Sequence, residues 1–192
     1  MPGIAHLGIA LISKRYDPKI PLIFLIISSY LIDIIFFAML FIGIEGLPDG
    51  SSGNSFPLWS HSLLMAVIWS VLGAIFTWII YGKYATSSVN NVQEDLLKFK
   101  QRRFFLTFFI GIIIFSHWIL DFISSPMTAV FPTDTGKQIL PIAGSTTIGL
   151  GLMSTLGGVV LIEGGFLFLG LVLYFPYKIQ FKSGRILSKS QI

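Results

Sequence analysis

The 192-residue sequence predicts an all-α, polytopic membrane helix bundle: four transmembrane helices, with a short N-terminal segment half-embedded or re-entrant beside them. Three observations predict it. Hydrophobic residues make up 54% of the chain and charged residues only 11%, against about 25% charged in soluble domains, so polar side chains are too few to cover a water-facing surface. Four apolar runs reach the roughly 20 residues that a helix needs to cross the hydrocarbon. They are too long for barrel strands, and in lipid every backbone N–H and C=O needs a partner inside the segment, which leaves the helix. Finally, the basic residues gather on one side of those runs.

The elements follow in order. Residues 1–13, MPGIAHLGIALIS, are apolar but too short to span. Their basic residues come after the apolar stretch, whereas a signal peptide carries them before it. The spans are expected near 20–43, 61–82, 104–123 and 148–175. Pro18 and Pro21 stand where a helix entry tolerates proline, and Pro176 closes the fourth span, which is long enough to tilt. Between spans two and three, Asn91 followed by Glu94 reads as a helix start, and QEDLLKFKQRR runs on into span three. Span four carries Gly149, Gly151, Gly157, Gly158, Gly164, Gly165 and Gly170. Several of these recur at seven residues and predict a small-residue stripe for close helix packing. The whole chain, 1–192, is one integral membrane domain with a basic tail at 176–192.

Lys14, Arg15 and Lys19 precede span one. Lys83, Lys98, Lys100, Arg102 and Arg103 lie between spans two and three, and Lys178, Lys182, Arg185 and Lys189 follow span four. Of the 13 Lys and Arg, only Lys137 falls on the other side. The positive-inside rule makes the basic side cytoplasmic and puts both termini there, in a bacterial inner membrane. The net charge of +4 is therefore a topology signal and a contact with anionic lipid, and no nucleic-acid partner is expected. The absence of Cys excludes disulfides and thiol catalysis.

With charge so scarce, its positions carry information. A carboxylate at the bilayer centre costs about 2.5–3.5 kcal/mol, so such groups face a bundle interior and serve a function there. Asp33, Asp121 and Glu163 lie inside apolar spans, and His6, His61 and His117 lie in or beside them. Lys19 to Asp33 and Arg103 to His117 are each 14 residues, and Lys178 back to Glu163 is 15. At ~1.5 Å per residue, three helices bring an ionisable group to one level, about 21–22 Å from the basic side. Asp121 lies a turn further out, His61 at the outer mouth of span two, and His6 about 12 Å above Lys14.

His117 and Asp121, at i and i+4, share a helix face. His-x-x-x-Asp is a bidentate fragment whose imidazole and carboxylate suit Zn²⁺ first, and also Mn²⁺ or Fe²⁺. Alone, Asp33 reads as a buried hydrogen-bonded group before a ligand, and Glu163 as a polar anchor between helices. Together, the three histidines and three carboxylates point to a metal or proton site. Its expected ligands are His6, Asp33, His61, His117 and Asp121, with Glu163 or Asp33 as the catalytic carboxylate. Glu45 and Asp49 are expected to be exposed and secondary, and Trp59, Trp118 and Tyr174 to be packing or interfacial aromatics. The Gly-, Ser- and Pro-rich outer loops are either a lid or plain connections.

The sequence resembles the bacterial membrane-bound metal-dependent hydrolases related to the LexA-regulated inner-membrane hydrolases, as a four-span branch. The resemblance rests on His6 with Lys14 and Pro18, Asp33, and Gly43-Ile44-Glu45. It also rests on Ser-His-Ser-Leu-Leu within Pro57 to Leu64, Ser-His-Trp-x-Leu-Asp at Ser116 to Asp121, Gly-Leu-Gly-Leu at 149–152, and Glu163. Where that family has Pro-Asp-x-Asp, this chain has Leu31-Ile32-Asp33-Ile34, and no second His precedes Ser60-His61. The resemblance implies a divalent-metal centre that hydrolyses a lipid-linked or phosphoester substrate near the outer leaflet. The rival classes are a proton- or cation-coupled transporter, against which the lack of an inverted repeat counts, and a non-catalytic membrane scaffold.

Overall fold

Among the described residues six helices carry the fold: α1 (Ile4–Tyr16), α2 (Leu22–Ser29), α3 (Leu31–Phe41), α4 (Leu63–Ala85), α5 (Glu94–Ser124) and α6 (Leu156–Pro176). The computed structural model describes residues 3–17, 19–45, 59–85, 94–124, 130–132, 152 and 155–176. The expectations for most of the outer loops, Asp49 among them, and for Pro18, Asn91, Gly149, Gly151 and the basic tail lie outside the described residues.

Three helices, α4, α5 and α6, are long and apolar enough to cross a membrane, and α2 with α3 makes a fourth if that bent pair counts as one span. The surface is inverted relative to a soluble protein. Phe37, Phe76, Phe104, Phe108 and Phe168 stand outside, while His6, Ser29, Ser60, His117 and Asp121 are buried. Such an apolar exterior is consistent with a lipid bilayer around it.

The first expected span, 20–43, is not one rod but two helices meeting at 55° around Tyr30. The cause is local. Ser28 Oγ donates to the Phe24 carbonyl at 2.8 Å, and Ser29 Oγ donates to the Ile26 carbonyl at 2.9 Å. Hydroxyls that bond back onto their own helix compete with the ladder and bend it. The fourth span also differs from the expected 148–175, since its helix begins at Leu156. Thr155 caps it, with Oγ1 accepting the Gly158 N–H at 3.1 Å. After one α turn comes a π turn, Val160–Gly164, that carries Glu163; such bulges re-aim one side chain of a helix.

Helices α4 and α5 form the largest contact, as an antiparallel hairpin. A Cβ on Gly73 would lie 2.3 Å from Ile114 Cδ1, and one on Gly111 would touch Ala74 and the Ser70 carbonyl. The expected stripe on the fourth span is corrected here. Among the described residues, Gly157, Gly164 and Gly165 meet nothing within 4 Å, whereas a Cβ on Gly170 would come within 2.8–2.9 Å of Gly8 backbone atoms. Likewise a Cβ on Gly8 would lie 2.3 Å from the Phe166 carbonyl oxygen. The close crossing is therefore α1 on α6, and its glycines come one from each helix.

Helix α1, at 13 residues, is about 20 Å long and cannot span. It buries Ala5, His6, Gly8, Ala10, Leu11 and Ser13 against α2, α5 and the π turn. Just after its end, buried Asp17 pairs with Arg102 of α5 and accepts the Lys19 N–H at 3.0 Å. At its start, His6 meets His117 of α5. Helix α1 thus runs antiparallel to α5, pinned at both ends. The 11 residues from His6 to Asp17 put the histidines roughly 16 Å from the basic end.

Candidate metal centre

Two buried imidazoles lie at the heart of the bundle, and each is fixed through Nδ1. His117 donates from Nδ1 to the Ser29 carbonyl at 2.8 Å. A carbonyl only accepts, so Nδ1 carries a proton, and in the neutral ring Nε2 is the lone-pair atom. The break between α2 and α3 has this consequence: a backbone carbonyl at the bend becomes the orienting partner of a histidine two helices away.

His61 is fixed by a relay. Ser60 Oγ donates to Glu45 Oε1 at 2.9 Å and stands 2.6 Å from His61 Nδ1. With its one proton given to Glu45, Ser60 accepts from His61 Nδ1–H, and Nε2 is again the lone-pair atom. Glu45, expected to be exposed, is only 2% exposed, and burial pushes its carboxyl above the ordinary range. The second serine of Ser-His-Ser acts on the backbone instead, since Ser62 caps α4 by receiving the Met65 N–H at 3.4 Å. From the other side Val130 accepts the Leu64 N–H at 3.0 Å, which holds the start of α4 in place.

Both Nε2 atoms face carboxylates. His61 Nε2 lies 3.5 Å from Asp33 Oδ1 and 3.4 Å from Asp121 Oδ2. His117 Nε2 lies 3.5 Å from the same Asp33 oxygen and 3.2 Å from the same Asp121 oxygen. His61 Nε2, His117 Nε2 and Asp121 Oδ2 are buried with no hydrogen-bond partner among the described residues. Leaving such atoms unsatisfied costs about 1–3 kcal/mol apiece. N–H···O bonds run to about 3.2 Å, and three of the four separations are longer. Four donors around one tetrahedral ion, at bonds of about 2.0–2.2 Å, stand about 3.3–3.6 Å apart. The four imidazole–carboxylate separations, 3.2–3.5 Å, lie near that range, and His61, His117 and Asp121, without Asp33, form one group able to hold such an ion.

Around this core, His6 stacks on His117 with ring centres 3.8 Å apart and planes 10° from parallel. Its Nε2 is 3.9 Å from Asp121 Oδ1, and with Asp33 and His117 it makes a second possible donor group. Phe36 meets the His61 ring edge-on at 5.3 Å, an apolar wall on that side. Asp33 is the more exposed carboxylate, with 18% of its side chain accessible against 9% for Asp121.

The structure thus brings His6, Asp33, His61, His117 and Asp121 together. Glu163, expected as a catalytic carboxylate, is held on the amino end of α1: its Oε2 accepts the Ala5 N–H at 2.7 Å. A carboxylate there satisfies an orphan donor and favours the helix dipole, and it steadies the helix that carries His6. Tyr30 ties down the same end, with its hydroxyl donating to the Gly3 carbonyl and its ring edge-on to His6 at 5.6 Å. Trp118 packs between Phe115 and Phe122, as expected of a packing aromatic. Sequence reasoning missed Ser29, Tyr30 and Ser60 and undervalued Glu45. The signals were present: a Ser-Ser-Tyr interruption in an apolar run, and serines flanking His61. Compared with protein-family models, curated proteins and solved structures, the chain matches none.

Proposed function

We propose that this chain is a membrane-embedded metal-dependent hydrolase in which His61, His117 and Asp121 hold a divalent ion, Zn²⁺ before Mn²⁺ or Fe²⁺. One observation carries the reading: three buried atoms, His61 Nε2, His117 Nε2 and Asp121 Oδ2, converge at ligand spacing, and both imidazoles have Nδ1 committed elsewhere. When bound, such an ion supplies Lewis acidity and lowers the pKa of a water molecule toward 7.

The protein's own groups divide the remaining work. Glu45 through Ser60, and the Ser29 carbonyl, hold the two imidazoles in the ligating tautomer. Asp33 faces both Nε2 atoms and is the more accessible carboxylate, so it takes the proton of the attacking water, or completes the ligand set. His6 lines the approach. Glu163 is a positioning residue that acts through α1. With the basic end cytoplasmic, the cluster lies past the midplane, and the substrate is a lipid-linked or phosphoester group reached from the outer leaflet.

The bent α2–α3 pair beside the cluster favours one second reading, a cation transporter, because interrupted helices line ion sites in many transporters. One experiment separates the two. Purified protein in vesicles containing phosphatidic acid, with Zn²⁺ or Mn²⁺ added, should release inorganic phosphate, and Asp33→Asn should lower the rate at least 100-fold while the protein keeps its metal. Metal-loaded wild type that releases no phosphate from this or another lipid-linked phosphoester, yet carries the cation across the bilayer, would replace the hydrolase with the transporter.

A further inference from the structure

A second site lies at the opposite, basic end of the bundle, away from the histidines. Helices α2, α4 and α5 enclose a groove of about 460 Å³, within the about 300–1,000 Å³ of ligand sites. Its walls are apolar, with Phe24 and Ile27 from α2 and Leu106 and Ile110 from α5, while Lys19, Tyr81 and Arg102 line it near the basic end. Along α5 the eight residues from Arg102 to Ile110 give it a depth of ~12 Å. One leaflet of a hydrocarbon core is about 15 Å thick. The groove therefore runs from the level of the headgroups down most of one leaflet.

The charge around its mouth is positive. Among the described residues, Lys19 is exposed and Arg102, paired with Asp17, lines the groove beside it, while Lys14 donates from Nζ to the Ile20 carbonyl. Just outside, Arg103 lies 3.9 Å over the Trp78 ring and donates to its carbonyl. We propose that this groove binds one anionic phospholipid of the basic-side leaflet, its acyl chain along Phe24, Ile27, Leu106 and Ile110 and its headgroup at Lys19 and Arg102. A zwitterionic lipid offers the same chain, but its ammonium meets the cations. Juxtamembrane cations add ~1 kcal/mol each, or about fivefold in affinity, toward anionic headgroups. The pair Arg102–Asp17 fastens α1 to α5, so a lipid bound there also braces the helix that delivers His6 to the other end.

Native mass spectrometry of the full chain tests this, after equilibration in mixed micelles of phosphatidylglycerol and phosphatidylcholine in equal amounts. One phosphatidylglycerol should survive removal of bulk lipid while phosphatidylcholine is lost. Lys19→Gln changes an exposed side chain and should lower phosphatidylglycerol retention about fivefold; Lys100→Gln, at an exposed position outside the groove, should leave it unchanged. Ile27→Trp should fill the groove and remove the retained lipid. Equal retention of the two lipids by wild type, or equal retention of phosphatidylglycerol by the Lys19 and Lys100 variants, would overturn the proposal.

Discussion

Ser60 has one hydroxyl proton and two neighbours that compete for it. Giving it to Glu45 leaves the oxygen to accept from His61, and this choice exposes the Nε2 lone pair. Outer partners of ligating histidines are typically worth 10–100-fold in metal affinity. Ser60→Ala is therefore expected to weaken metal binding by that factor, measured by competition with a chromophoric chelator. Glu45→Ala should cost about as much. Because both act through one relay, the double variant should lose little more than either single one. Strictly additive losses would show that Glu45 and Ser60 act independently. At this scale the sequence was readable where the helix period fixes the geometry: His117 and Asp121 are i and i+4, and one turn places both. The relay was not readable, because it closes between Glu45 after α3 and Ser60 before α4, and no periodicity spans that gap.

Among the elements, α1 holds its place by contact of backbones rather than by length. Gly8 and Gly170 let α1 and α6 touch, while Gly165 meets nothing within 4 Å among the described residues. Gly8→Ala puts a Cβ 2.3 Å from the Phe166 carbonyl oxygen, and overpacking of this kind costs about 1–3 kcal/mol. Gly165→Ala should be neutral or slightly stabilising, since alanine is the better helix former. Thermal unfolding in detergent checks the pair, with a clear fall in Tm expected only for the Gly8 variant; equal behaviour would remove the crossing as the anchor of α1. Hydropathy located the spans, because each apolar run exceeds the length that the hydrocarbon demands. It could not show that span one is broken, since a bend leaves hydropathy unchanged and the cause lies in two serine hydroxyls, Ser28 and Ser29. It also misjudged the glycines of α6, whose spacing says nothing of which partner arrives, and here the partner is α1.

For the whole molecule, the pair Asp17–Arg102 and the cluster mark opposite ends of one axis. Asp17–Arg102 lies at the basic end, and the histidines lie some three helical turns away along α1. The proposed orientation, with the basic end cytoplasmic, predicts that the segments following α3 and α5 lie on the outer side. The chain contains no Cys, so single cysteines at Ser52 and Thr135 are clean reporters. Both should react with a membrane-impermeant maleimide in intact cells, and labelling only after lysis would reverse the orientation. The common depth of Asp33 and His117 followed from counting residues up from Lys19 and Arg103, since helices of fixed rise turn sequence distance into depth. Glu163 was counted to that level too, but its side chain turns to the amino end of α1, a direction set by the π turn and invisible to counting.

The central claim is that His61 and His117 share one divalent ion, and metal content measures it most directly. Detergent-purified wild type, dialysed against buffer with a weak chelator, should retain about one Zn²⁺ or Mn²⁺ per chain by elemental analysis. His61→Ala and His117→Ala should each retain less than about a tenth of that, while Trp118→Phe, which alters only packing beside the cluster, should retain it in full. Metal content equal in wild type and both histidine variants would contradict the claim.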